Sequence, residues 1–318
     1  MTQQRERISG AKARPTIGEA GAMFLSYCRS KNLADTSVMF YKKRLKFFGQ
    51  WLDAQGFGEI EIQEVKAPML RDFLTYEMQR TSPATAKHAR RTLSAMFGFL
   101  VTEEIVAVSP MSKVPSPRVQ ENLIEPLTDA EIESLILACP KTFTGRRNRA
   151  ILLVLLDCGL RVAELCSLNL DDVSFADGTL KVQRKGGRWQ QLPFGQSVAR
   201  GLRDYLIRRG DLDGEEAVFV SNRGSRLSVR QVGASLQRLG QKVGVKLHPH
   251  KMRHTFAVSF LKNGGDAFVL QAALGHSDLA MTRRYCNIAN ADLLSMHRKV
   301  SPADKFAALV KPTRISEL

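Results

Sequence analysis

The chain has 318 residues, 47 Lys+Arg against 31 Asp+Glu, a formal net charge of +16 and a sequence pI near 9.9. That length exceeds what one hydrophobic core usually supports, so two domains are expected. The 44% hydrophobic content excludes extensive disorder, and the charge points to a polyanionic partner, with a solvated basic surface as the alternative.

Both halves share the excess: 18 Lys+Arg face 11 Asp+Glu through residue 120, and 29 face 20 after it. A nucleic acid is therefore expected to touch both. Five cysteines, an odd number without a CxxC pair, indicate neither a disulfide framework nor a zinc site. The opening residues lack the apolar core of a signal peptide and no run of eighteen apolar residues occurs, so no membrane span and a cytoplasmic protein are expected.

Residues 1–14 read as a flexible basic leader. Residues 15–108 read as a four-helix domain. Thr16 with Glu19 forms a capping box for the first helix, and Asp35-Thr36-Ser37 opens a second along which Val38, Tyr41, Leu45, Phe48 and Leu52 form a stripe. A third helix is expected over Pro68–Gln79. A fourth follows Ser82-Pro83, where Ser suits the cap and Pro the first turn. Lys42, Lys43, Arg44 and Lys46 interleave with the second helix, and Lys87, Arg90 and Arg91 lie on the surface of the fourth. Four prolines between Pro110 and Pro126 mark residues 109–126 as a linker.

A second domain is expected over 127–310, followed by a tail at 311–318. Thr128 with Glu131 caps its first helix, and Arg149–Asp157 makes a strongly apolar one. Asp172–Phe175, Thr179–Arg184 and Trp189–Pro193 read as short strands, the last two closing a hairpin through Lys185-Gly186-Gly187-Arg188. Helical patterns then return. The fold class is mainly α with a small β-sheet.

Several residues could carry chemistry. Arg161 and Glu164 stand three apart, as do His250 and Arg253, the latter on a helix that buries Met252, Phe256 and Phe260. Gly275 ends the next helix before His276, and Tyr285 follows nine residues later. Each pattern alone has a plainer explanation, respectively an ion pair, a short HxxR coincidence and a packing tyrosine. His254 is expected to pack locally, His88, His248 and His297 have no evident partner, and Tyr27, Tyr41, Tyr76 and Tyr205 fall in helical stripes that suggest core.

Together, GLRVAEL, the hairpin lysine, HPHKMRHTFA, LGHSD and RRY resemble, in order and interval, the active-site set of the tyrosine recombinases, the phage integrase family. The resemblance spans nearly the whole chain. It implies a helical core-binding domain and a mixed α/β catalytic domain that clamp double-stranded DNA at a specific recombination site. It also implies a homo-oligomer, four protomers on two sites. Arg161 and Arg253 would hold the scissile phosphate with fixed, bidentate donors, and Tyr285 would attack it to form a 3′-phosphotyrosyl link. Lys185 would protonate the leaving oxygen, His250 would assist at the tyrosine, His276 would bond the phosphate, and Glu164 would orient the basic groups. No cofactor or metal is implied, and affinity should fall steeply with salt.

Arg184 departs from the glycine that many members place before the lysine, and Val258 from a frequent Thr. Arg184 and Arg188 flank Lys185 and are also cations, alternatives to it as the general acid. A type IB topoisomerase and a non-catalytic DNA-binding protein are the rival readings. The short leader leaves no room for an additional arm-site domain, which favours a simpler Xer-like or mobile-element enzyme. Leu293, Leu294, Met296 and Val300 are spaced for docking on a neighbouring protomer.

Overall fold

The structure, a computed structural model, describes residues 14–119, 125–184 and 186–275, with residues 282, 283, 285, 286 and 301. The chain divides into two units, Met1–Asn122 and Leu123–Leu318.

The first unit holds α1 (Ile17–Ser30), α2 (Asp35–Ala54), α3 (Ala67–Arg80) and α4 (Pro83–Thr102). Local chemistry starts three of them. The Thr16 hydroxyl accepts from the Glu19 N–H while Glu19 Oε2 accepts from the Thr16 N–H at 2.8 Å, Pro68 lies in the first turn of α3, and Ser82 caps α4. The helices enclose Phe24, Phe48, Leu52, Leu70, Phe73, Leu93, Met96, Phe97 and Leu100. Glu77 is buried among them, held at 2.6 Å by Arg80. Tyr76, expected in the core, is 43% exposed, because Leu70, Phe73, Leu74 and Glu77 define the inner face of α3 and position 76 falls outside it.

The stretch expected as a linker begins as part of this unit. Met111 and Val114 are buried in its core, and Arg90 donates to the Val114 carbonyl from both Nε (2.9 Å) and Nη2 (2.7 Å). Arg90 thus fastens the exit of the chain rather than decorating a surface. Lys42, Lys43, Lys46, Lys87 and Arg91 remain exposed on α2 and α4.

The second unit contains α5 (Asp129–Leu137), α6 (Phe143–Cys158), α7 (Val162–Ser167), α8 (Gln196–Arg209), α9 (Val229–Lys242), α10 (Pro249–Lys262) and α11 (Ala267–Leu274). Its antiparallel sheet runs in order β1 (Val173–Ser174), β2 (Thr179–Gln183), β3 (Trp189–Pro193). Leu180 and Val182 alternate inward from β2 while Lys181 and Gln183 face out, the period of a half-buried strand. The sheet and α6, α8 and α10 surround Leu152, Val154, Leu155, Leu165, Leu202, Tyr205 and Phe219. Tyr205 is fully buried because its hydroxyl finds a donor, the Val220 N–H at 3.1 Å.

The start of α6 differs from expectation. It begins at Phe143 under a Thr142 cap, six residues before Arg149, and Arg147 is buried within it by donating to the Val220 carbonyl at 2.8 Å. A smaller cluster of Phe256, Ala257, Leu261, Leu270 and Leu274 joins α10 to α11, and Tyr285 and Cys286 pack against it.

One glycine is critical to this joint. Gly159 ends α6 at φ +58°, and a Cβ there would lie 2.1 Å from Phe256 Cδ1. Gly159→Ala meets both a left-handed backbone and an aromatic ring, so we expect a loss of about 1–3 kcal/mol, read as a lower urea midpoint.

Candidate active site

The site is assembled from the end of α6, the first turn of α7, the β2–β3 hairpin and the α10–α11 pair. Arg161 is the N-cap of α7, outside the helix proper, and Glu164 sits at its third position. Glu164 Oε2 accepts from the Arg161 N–H at 2.8 Å and Oε1 from Arg161 Nη1 at 2.8 Å. The expected pairing therefore forms as a cap rather than across a helix face. The Arg161 side chain stays 40% exposed while Glu164 is buried. Burial would raise the Glu164 carboxyl, but the bonds from Arg161 and then the charge and bond of Arg184 outweigh it and hold it below the ordinary carboxylate value.

Arg253 lies one turn after His250 on α10 and is only 6% exposed. Its Nη1 donates to the Gly159 carbonyl and its Nη2 to the Leu274 carbonyl, each at 2.7 Å. These bonds tie α10 to the ends of α6 and α11. Burial, reinforced by the positive charge of Arg161, pulls the Arg253 guanidinium down to about 10, still protonated at neutral pH; Glu164 and Tyr285 act in the opposite sense. Arg161, Glu164 and Tyr285 thus each lie within electrostatic reach of the Arg253 guanidinium.

Tyr285 is half-buried, with its ring 5.2 Å from that of His254. His254 therefore packs on a residue 31 positions away, a role its sequence setting did not reveal. His250 stands exposed on the first turn of α10. Lys185 and His276, with His297, Leu293, Leu294, Met296, Val300, residues 1–13 of the leader and the tail, lie outside the described residues. Their flanks are described: Arg184 bonds Arg188 across the hairpin (N to O, 2.7 Å), Gly186 and Gly187 take φ of +84° and +78°, and Gly275 ends α11 at φ +61°.

Two further residues hold the site. Arg184, read from the sequence as a departure and as a further cation beside Lys185, is 8% exposed and donates through Nη1 to Glu164 Oε2 at 2.7 Å. His248 caps α10, its Nδ1 accepting from the Lys251 N–H at 3.1 Å, with Pro249 in the first turn. Ser82-Pro83 at α4 shows the same cap-then-proline grammar, which is the signal that could have identified it.

Residues 125–291 match the family described as phage integrase family. The chain belongs to the phage integrase family. It is 33% identical over 261 residues to tyrosine recombinase XerC of Thermodesulfovibrio yellowstonii, covering 78% of this chain and 86% of that protein. It is also 33% identical over 283 residues to tyrosine recombinase XerD of Pseudomonas aeruginosa, covering 86% and 93%. The fold matches that of the Tn1549 transposon integrase in complex with a circular intermediate DNA, with a TM-score of 0.72 at 20% identity over 90% of this chain and all of that one. This integrase-family chain is a tyrosine-type enzyme of site-specific DNA recombination. Among the described residues no helix is long and apolar enough to cross a membrane.

The cap on α10 gives this recombinase a pH dependence. Burial, then the charges of His250, Lys246 and Lys251, lower the His248 imidazole from its ordinary value near 6.5. Protonating Nδ1 destroys the acceptor. The folded value lies below the unfolded one, so the cap's contribution is complete above pH 6.5 and is lost as pH falls through the lowered folded value. We expect His248→Asn, which caps without titrating, to flatten the decline in melting temperature below pH 6.5.

Proposed function

We propose that this chain binds duplex DNA at a specific recombination site, breaks one strand through Tyr285, and rejoins it to a partner strand by the reverse reaction. The observation that carries this reading is the arrangement around Arg253. A buried guanidinium, bonded to the carbonyls of Gly159 and Leu274, sits within electrostatic reach of both a half-exposed Arg161 and the half-buried Tyr285.

Each step has a candidate group. As Tyr285 Oη bonds to phosphorus, the P–O5′ bond breaks, and charge that gathers on the non-bridging oxygens is met by Arg161 and Arg253. His250 takes part in removing the phenolic proton, and Lys185 delivers a proton to the departing 5′-oxygen. His276 hydrogen-bonds the phosphate, and Glu164 keeps Arg161 in place. A 5′-hydroxyl then attacks the phosphotyrosine, restoring a diester and the free tyrosine. The ester conserves the bond energy, so ATP has no part, and the basic groups supply neutralisation that a divalent cation supplies in other phosphoryl-transfer sites.

The exposed lysines and Arg91 of α2 and α4 supply phosphate contacts from the first unit. Strand exchange by this route engages four protomers on two sites, with the cytoplasm as the place of action. The test is to capture protein–DNA complexes from the source cell's DNA with detergent, digest the unbound DNA, and sequence the protein-linked ends. We expect recurrent ends at a defined site with protein on the 3′ phosphate and a free 5′-hydroxyl opposite. Protein on 5′ ends, or ends scattered without a common sequence, would contradict the proposal.

A further inference from the structure

Arg184 joins three parts of the site that are distant in sequence. Its Nη1 donates to Glu164 Oε2 on α7 at 2.7 Å, its Nε to Gln190 Oε1 across the hairpin at 2.9 Å, and its Nη2 to the Ala273 carbonyl at the end of α11. Gln190 extends the joint, donating from Nε2 to the Ala272 carbonyl at 2.9 Å. The backbone is held as well, since the Arg184 N–H donates to the Arg188 carbonyl at 2.7 Å and the Arg184 carbonyl accepts from the Gly187 N–H at 3.1 Å. Both the side chain and the main chain of residue 184 are therefore fixed. The next residue in the sequence is Lys185.

We propose that Arg184 is a positioning residue that fixes the β2–β3 hairpin against α7 and α11 and so sets where Lys185 can reach. The inference rests on Lys185 being the general acid. A planar fork with donors in three directions suits the role, and a lysine ammonium reaches only part of it. The carbonyl end of α11 is a natural seat for cations, and two adjacent carbonyls there accept from two arginines, Ala273 from Arg184 and Leu274 from Arg253. The base of the hairpin and Arg253 are thereby tied to one helix end. Removing Arg184 leaves Arg161 its two bonds to Glu164, so the loss falls chiefly on the hairpin.

A substrate with sulfur in place of the bridging 5′-oxygen separates positioning from general support, because a thiolate leaves without a proton. Cleavage of nicked duplexes carrying oxygen or sulfur at that atom is compared for the unsubstituted chain, Arg184→Ala, Arg184→Lys and Lys185→Ala. We expect Arg184→Ala to slow the oxygen substrate roughly 10²-fold, as loss of a general acid does, and to cleave the sulfur substrate close to the unsubstituted rate. Arg184→Lys, which keeps a cation beside Glu164, should show the same rescue in weaker form and decides the matter if the alanine variant does not fold. Rescue of Lys185→Ala without rescue of the Arg184 variants overturns the positioning role alone. Failure to rescue Lys185→Ala overturns the general-acid assignment and the inference with it.

Discussion

Tyr285→Phe is expected to abolish covalent capture of DNA and leave non-covalent affinity for the same duplex unchanged. The substitution removes one oxygen. The ring keeps its packing against the Phe256 cluster and its contact with His254. Without the oxygen no phosphotyrosyl ester can form, and the other residues of the site cannot substitute for a missing nucleophile. The two halves of the prediction are read separately, adduct formation by denaturing gel with a nicked substrate and affinity by mobility shift. A parallel loss of binding would show that the tyrosine acts in recognition rather than in bond making.

The second large effect is at Arg253. Arg253→Lys replaces a fork that reaches the Gly159 and Leu274 carbonyls at 2.7 Å each with a single ammonium that cannot span both. A buried carbonyl left without a donor costs about 1–3 kcal/mol. On the proposed mechanism the same substitution removes a bidentate donor from the transition state, and such a loss typically lowers the rate by roughly 10²–10³. We therefore expect one change to lower both the unfolding midpoint and cleavage. Arg161→Lys provides the contrast: its side chain is half-exposed and pairs with a neighbour three residues away, so cleavage should fall while the midpoint stays close to that of the unsubstituted chain. Chemical denaturation and single-turnover cleavage of the two variants check this. Equal stability losses would contradict the placement of Arg253 as the tie between α6, α10 and α11.

What the sequence disclosed follows the range of the interactions. Helix starts at Thr16, Ser82 and Thr128 were legible because a cap and its partner lie within three residues. The start of α6 was not, since Arg146-Arg147-Asn148 interrupts the apolar run and Arg147 is accommodated by a carbonyl 73 residues away. The same division runs through the site. Glu164 was legible as the orienting carboxylate of Arg161, three positions on. Its second partner, Arg184, read as a departure from the glycine before the hairpin lysine, and its purpose emerges only when α7 and α11, 20 and 89 residues away, are brought against it. His254 was likewise assigned a local role because its contact is a tyrosine 31 residues downstream. His248 is the opposite case, a local cap that was open to reading but disguised by a residue type rarely used there.

The most direct measurement of the central claim is the identity of the DNA-linked residue. A covalent complex trapped on a nicked substrate, treated with nuclease and protease, leaves one peptide carrying a nucleotide remnant that mass spectrometry can assign. The remnant is expected on Tyr285. Its presence on Tyr27, Tyr41, Tyr76 or Tyr205, or on a serine, would contradict it.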